Sequence, residues 1–215
     1  MKDIAIYGAG GLGREIACIL RILNDKDGQD WNLIGFFDDG KSKGKPVAHF
    51  GEILGGMEEV NTWPTKLNVV LCFGAPRTLA KVSSLIVNPN IVFPNIIALD
   101  FTIADASTFN IGKGNIITSH CSVTTNIAIG DFNLLNGSIS CGHDVKIGNC
   151  NVFMPGSRIS GEVIIGNECL FGADCFVKQQ IHVPDRVTLS PLSPLLTNPK
   201  PDSLYMGNPA KRIRF

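Results

Sequence analysis

From Ile111 to Val183 the chain keeps one six-residue register without a slip. Positions 111, 117, 123, 129, 135, 141, 147, 153, 159, 165, 171, 177 and 183 read Ile, Ile, Val, Ile, Leu, Cys, Ile, Phe, Ile, Ile, Phe, Val and Val; apart from Cys141, all are large aliphatics or Phe. Ile-Gly recurs over this register at 111–112, 129–130, 147–148 and 165–166, every eighteen residues. A hexapeptide period of this kind marks a parallel β-helix. Eighteen residues per turn give three short sides per coil, a triangular prism whose coils lie about 4.8 Å apart. Residues eighteen apart are therefore stacked neighbours, and that rule locates the chemistry.

The first ninety or so residues read differently. Ile4–Tyr7 is a short apolar strand, Gly8-Ala9-Gly10-Gly11-Leu12-Gly13 follows, and Ile16, Leu20 and Leu23 continue at helical spacing. Strands over Leu33–Phe37 and Val69–Phe73, with a helix over Ala75–Ile86, complete an alternating pattern. Such alternation implies a parallel α/β sheet, here truncated to three or four strands. The expected organisation is a small Rossmann-like domain over residues 1–95, the β-helix over 101–188, and a loop and tail over 189–215. Pro191, Pro194, Pro199 and Pro201 argue against a regular coil in the last segment.

The net charge is zero, so neither nucleic acid nor an anionic membrane is expected as a partner. No apolar run approaches the ~18 residues of a membrane span. MKDIAIYGAGG lacks a signal-peptide layout, which points to the cytosol. The seven cysteines include no CxxC pair. Cys121, Cys169 and Cys175 fall four residues after a register position, where a small side chain turns inward, and read as buried reduced thiols. Cys141 occupies a core position and is not read as a nucleophile.

Gly8, Gly10 and Gly13 stand in GxGxxG order between a strand and a helix, with Gly11 inside the turn. Glycines allow a tight turn and close approach to a phosphate, and the helix N-terminus supplies amide donors and partial positive charge. Asp38 and Asp39 end the next strand, where an acid commonly meets a ribose or base. The loop reads as a nucleotide site and does not specify the nucleotide.

Of the four histidines, only His143 sits in suggestive surroundings, Ser140-Cys141-Gly142-His143-Asp144. It lies off the core-facing column, and Asp144 can orient or charge-stabilise the imidazole. Eighteen residues on is Gly161, stacked one coil above on the same edge. Its backbone N–H, unobstructed by a side chain, could bind a thioester carbonyl or its oxyanion. A zinc site of the kind some β-helices carry needs converging histidines, and no two histidines here are five residues apart, so no metal is expected.

Three stretches now resemble a known family: Tyr7–Glu15 with Phe37-Asp38-Asp39, Gly142–Gly148, and Tyr205-Met206-Gly207-Asn208-Pro209-Ala210-Lys211. Together they resemble the bacterial sugar O- and N-acyltransferases of the hexapeptide-repeat type, typified by the UDP-amino-sugar acetyltransferase of bacillosamine synthesis. The resemblance implies a left-handed β-helix, a homotrimer, and acetyl-CoA as co-substrate in the groove between adjacent prisms. It implies that the N-terminal domain holds a nucleotide-linked (UDP-) sugar, with Asp38 and Asp39 toward uracil and ribose and Gly8–Gly13 toward the diphosphate. It makes His143 the general base, Asp144 its partner, and Gly161, with Gly142, part of the acetyl-CoA site. Two departures stand out: Leu12 replaces a histidine beside the acceptor, and Ser190-Pro191-Leu192-Ser193-Pro194 replaces a glycine-rich turn. Proline has no N–H to offer a pantetheine carbonyl, so distal coenzyme contacts must differ.

The expected function is acetyl-CoA-dependent transfer to an amino or hydroxyl group of a nucleotide-linked sugar. Two rivals stand beside it: a nucleotide-binding trimeric scaffold without transferase activity, and an NAD-dependent oxidoreductase read from GxGxxG alone.

Overall fold

A computed structural model describes residues 1–28 and 30–214. The N-terminal part is a parallel sheet of β1 (Lys2–Tyr7), β2 (Trp31–Phe37), β3 (Ile53–Gly55), β4 (Leu67–Leu71) and β5 (Ile91–Val92). Helices α1 (Gly11–Asp27), α2 (Met57–Asn61) and α3 (Pro76–Leu85) connect them. The sheet has five strands, one more than the pattern suggests, because β3 and β5, with three and two residues, are too short to show a period. Their order is β3-β2-β1-β4-β5, so the chain switches direction between β1 and β4. Ligands of such sheets bind at the carboxyl ends of the strands flanking that switch, which is where the glycine loop lies.

The remainder is a three-sided parallel β-helix. Face I carries Ile96–Ile97, Ile116–Ile117, Leu134–Leu135, Val152–Phe153, Leu170–Phe171 and Thr188–Leu189, closed by Leu204–Met206 and Lys211–Ile213. Face II runs from Thr102–Ile103 to Pro194–Leu195, and face III from Phe109–Ile111 to His182–Val183. Pairs such as Ser122↔Ser140 and Lys146↔Ile164 keep the eighteen-residue offset. Ile96↔Ile116 and Ser122↔Thr102 are twenty apart, because a short helical turn at Ala106–Thr108 lengthens the first coil. Coiling thus begins at Ile96 and continues past residue 188, wider than the hexad register marks. Pro194 heads the edge strand of face II, where no further strand needs its missing N–H.

The register residues from Ile117 to Val183 are all buried, with Phe153 and Phe171 stacked at 4.6 Å between centroids. Every sixth residue from Asn126 to Leu192, except Gly156, is a non-glycine with φ between 53° and 64°, a left-handed corner. The eighteen-residue Ile-Gly period has its own cause. Buried Asn115, Asn133 and Asn151 stack one per coil, and their Nδ2 atoms donate to the carbonyls of Gly130, Gly148 and Gly166, each at 2.9 Å. Asn95 does the same for Gly112 at 2.7 Å.

The N-terminal domain docks on face I through α1 and α3. Phe132, Leu134, Cys150 and Val152 share one core with Ile16, Leu20, Leu79 and Val82, and Phe93 meets Phe132 edge-on at 5.0 Å. Helix α1 lies along the vertex at Ser119–His120 and Gly137–Ser138, and the start of α3 lies near Glu168 and Arg186 on the other flanking vertex. No described helix is long and apolar enough to cross a membrane.

Candidate active site

The vertex between faces II and III, opposite the docked N-terminal domain, carries His143 and Asp144. They turn the corner between Ser140–Cys141 and Lys146–Ile147, with Asp144 at φ 59°. His143 Nδ1 lies 2.7 Å from Asp144 Oδ2, and both side chains are about half exposed (49% and 46%). Asp144 Oδ1 accepts from Asn126 Nδ2 at 2.5 Å. The Asn126 amide first, and His143 second, hold the Asp144 carboxyl below the usual carboxylate range. An ionised carboxylate only accepts, so it fixes the proton on Nδ1 and leaves the lone pair on Nε2.

That lone pair is at Gly161. A Cβ on Gly161 would stand 2.5 Å from His143 Nε2, so only glycine leaves room for the imidazole. A Cβ on Gly142 would stand 2.6 Å from Gly161 N, so glycine there keeps that amide uncovered. The Gly161 carbonyl accepts from Gln180 N at 3.1 Å, whereas its N–H meets no acceptor among the described residues. A lone pair and a free donor thus sit side by side at one vertex, the arrangement acyl transfer needs. Cys141 is buried beneath, and that burial pushes its thiol up to about 12, as expected for a core residue rather than a nucleophile.

The stacking rule also brings in residues that motif reading overlooked. Asn126, Asp144, Glu162 and Gln180 succeed one another at eighteen-residue steps up this vertex. Glu162 adjoins the free amide, and a carboxylate there would oppose an oxyanion. Its Oε1 accepts from Gln179 Nε2 at 2.8 Å and its Oε2 from Gln180 Nε2 at 3.1 Å, so both oxygens are held by amides. Those bonds, Gln179 first, also lower its pKa.

At the glycine loop the residues divide by role. Gly8 has φ +108°, and a Cβ on Gly13 would stand 2.0 Å from the Gly8 carbonyl, so these two serve the tight turn and the close helix. Gly10 and Gly11 would meet nothing within 4 Å and leave open space at the start of α1. That helix has no acidic residue in its first turn and no side-chain cap, so its amides remain available to an anion.

Asp38 and Asp39 do not simply project into solvent. Asp38 Oδ2 accepts from Ala9 N at 2.9 Å and Oδ1 from Gly40 N at 3.0 Å. Asp39 Oδ2 accepts from the Tyr7 hydroxyl at 2.7 Å and Oδ1 from Met57 N at 2.8 Å. Burial first, then the Asp39 bond, raises the Tyr7 phenol above its ordinary pKa. Asp38 therefore braces the loop, and Asp39 ties the end of β1 to the start of α2, each with lone pairs to spare. Lys41 Nζ donates to the Ala9 carbonyl and lies 3.4 Å from Asp38. With Lys43 it lines an open pocket of about 260 Å³ beside both acids, and these cations were not singled out from the sequence. Asp39→Ala is expected to strand the buried Tyr7 hydroxyl at a cost of about 1–3 kcal/mol. Tyr7→Phe in the same chain should recover much of that loss in thermal melts.

Comparison with known proteins extends these observations. Residues 3–86 match the family model described as the PglD N-terminal domain. The chain is 32% identical over 192 residues to the GDP-perosamine N-acetyltransferase of Escherichia coli O157:H7, covering 86% of this chain and 81% of that one. Its fold matches the acetyltransferase domain of PglB from Neisseria gonorrhoeae FA1090 with a TM-score of 0.88 at 22% identity, over 99% of this chain and 100% of that one. It matches PerB from Caulobacter crescentus, in complex with CoA and GDP-perosamine, with a TM-score of 0.86 at 18% identity, over 100% and 98% of the two chains.

Proposed function

The chain belongs to the sugar acyltransferase family that includes GDP-perosamine N-acetyltransferase, and on that premise we propose that it transfers an acetyl group from acetyl-CoA to the amino group of a nucleotide-linked sugar. The observation that carries the reading is the vertex itself: an imidazole oriented by Asp144, with Nε2 at Gly161 and the Gly161 N–H free. The amine nitrogen attacks the thioester carbonyl carbon, and Nε2 takes the proton that leaves the nitrogen. Gly161 N–H receives the developing oxyanion. The C–S bond then breaks and the imidazolium returns the proton to the departing sulfur. No acyl-enzyme is required.

The loop at Gly8–Gly13, the start of α1 and the cations Lys41 and Lys43 suit the diphosphate of the acceptor. Asp38 would serve it mainly by holding that loop and Asp39 by tying the end of β1 to α2, and their spare lone pairs remain for a ribose or base. The family resemblance implies a UDP-sugar, whereas the relative at 32% identity is named for GDP-perosamine, so the acceptor panel carries both bases.

The N-terminal domain packs on face I through α1 and α3, and the dyad stands on the vertex across the prism. An acceptor held at the glycine loop therefore lies on the far side from its own His143. This supports a homotrimer in which each acceptor meets the His143 of a neighbouring subunit. A single assay tests both parts. Thiol release from acetyl-CoA is expected with one class of nucleotide amino sugar in a panel of UDP- and GDP-linked compounds, and NAD should not bind. Gly11→Glu places a carboxylate at the anion site without disturbing α1, since acids suit a helix N-terminus. That variant and His143→Ala should each be nearly inactive. Co-expressed, they should regain about a quarter of wild-type activity, because random trimers rebuild intact sites across subunits. No thiol release with any acceptor would refute the transferase reading; no regain on mixing would refute the shared site.

A further inference from the structure

A continuous polar chain climbs the vertex below the dyad. Asp105 accepts from Thr108 Oγ1 at 2.9 Å and from Thr125 Oγ1 at 3.0 Å. Thr108 Oγ1 accepts from Asn126 N at 2.8 Å, and Thr125 O accepts from Asp144 N at 3.0 Å. Asn126 Nδ2 donates to Asp144 Oδ1 at 2.5 Å, and Asp144 Oδ2 closes on His143 Nδ1 at 2.7 Å. Asn126 is thus held from below through its backbone and holds Asp144 from below through its side chain.

The placement is consequential because Asp144 is half exposed and turns a left-handed corner. A carboxylate with one oxygen free could rotate, or take a water on the oxygen that should meet Nδ1. An amide donor on Oδ1 removes that freedom and leaves Oδ2 aimed at the ring. Asparagine does this without adding charge, and it tolerates the positive φ of its corner, 55°.

We propose that Asn126 is a positioning residue for the transfer reaction: its amide fixes the Asp144 carboxylate, which sets the tautomer and the aim of the His143 imidazole. The proposal rests on the reading of His143 as general base. Asn126 meets neither co-substrate in this role, so its effect belongs in kcat and in the pH profile, not in either KM.

The other charges around the dyad are few. Glu162 lies one coil above with its oxygens on Gln179 and Gln180, Asp105 lies two coils below on Thr108 and Thr125, and Lys146 shares the coil of Asp144. Asn126→Asp keeps shape and backbone preference but puts a second carboxylate against Asp144. It cannot donate to Oδ1, and its negative charge favours the imidazolium.

The test uses the full-length protein. Asn126→Gly, which keeps the corner and removes the amide, is expected to lower kcat about tenfold with both KM values unchanged. Asn126→Asp is expected to lower kcat as well. It should also move the acid limb of kcat/KM, and the His143 titration midpoint seen by NMR in the unliganded protein, about half a pH unit or more upward. Wild-type kcat in Asn126→Gly, an unmoved midpoint in Asn126→Asp, or a rise in either KM matching the fall in kcat would each overturn the proposal. The NMR midpoint needs no turnover. If His143 proves dispensable for transfer, the base reading fails while the Asn126–Asp144–His143 linkage is still measured.

Discussion

His143→Ala is expected to lower kcat by about 10²–10⁴-fold, the usual contribution of a positioned general base. Stability should hardly change, since the imidazole is half exposed and outside the packed column, and surface substitutions cost within about 0.5 kcal/mol. Gly161→Ala reaches the same end by another route. The added Cβ would stand 2.5 Å from Nε2 and 2.7 Å from Cε1, so the ring must swing off the free amide. That variant retains every titratable group and should still lose much of kcat. If base and oxyanion donor act as one unit, combining the two changes will cost little more than the worse single change. A His143→Ala enzyme keeping more than about half the wild-type rate would remove the base assignment.

Much of this site is legible because a solenoid turns sequence distance into spatial distance. The step of eighteen residues relates His143 to Gly161 before any coordinates exist, and the same step leads to Asn126 and Glu162. Those two escape motif reading because neither belongs to a short pattern: each is a lone polar residue in a corner column. The corners resist reading for a related reason. Their left-handed residues include Phe132, Cys150, Arg186 and Leu192, which have no preference for positive φ, so the coil imposes the conformation against local propensity.

The glycine loop is legible by its GxGxxG spacing, whereas the roles of its neighbours are not. Asp38 and Asp39 look like ligand contacts at the end of a strand. Only the fold reveals that Ala9, Gly40, Tyr7 and Met57 already donate to them. Lys41 looks like part of a polar loop until its ammonium is found on the Ala9 carbonyl. The limits of the coil are hidden too, since Ile96–Ile97 joins face I through a twenty-residue first turn that breaks the register.

Asn133→Ala should have the largest effect on stability. The side chain is buried at the centre of a ladder, with Oδ1 accepting from Asn151 N at 2.9 Å and from Asn151 Nδ2 at 3.0 Å. Its own Nδ2 reaches Gly148 O at 2.9 Å and Asn115 Oδ1 at 3.1 Å. Truncation leaves two donors on Asn151 and the Gly148 carbonyl short of partners where water does not reach. Each such orphan costs about 1–3 kcal/mol, and the set about 3–5 kcal/mol after partial relaxation. For a chain of this size that corresponds to a fall in Tm of roughly 6–20 °C. Asn149→Ala is the matched control. Asn149 repeats the chemistry one column away, accepting from Asp131 N at 2.7 Å and donating from Nδ2 to Asn167 Oδ1 at 3.0 Å, but it is exposed. Water can replace its bonds, so its loss should be under about 1 kcal/mol. Equal melting shifts for the two variants would show that burial of the amide ladder, and with it the link between Asn133 and the Ile-Gly repeat, does not hold the coils in register.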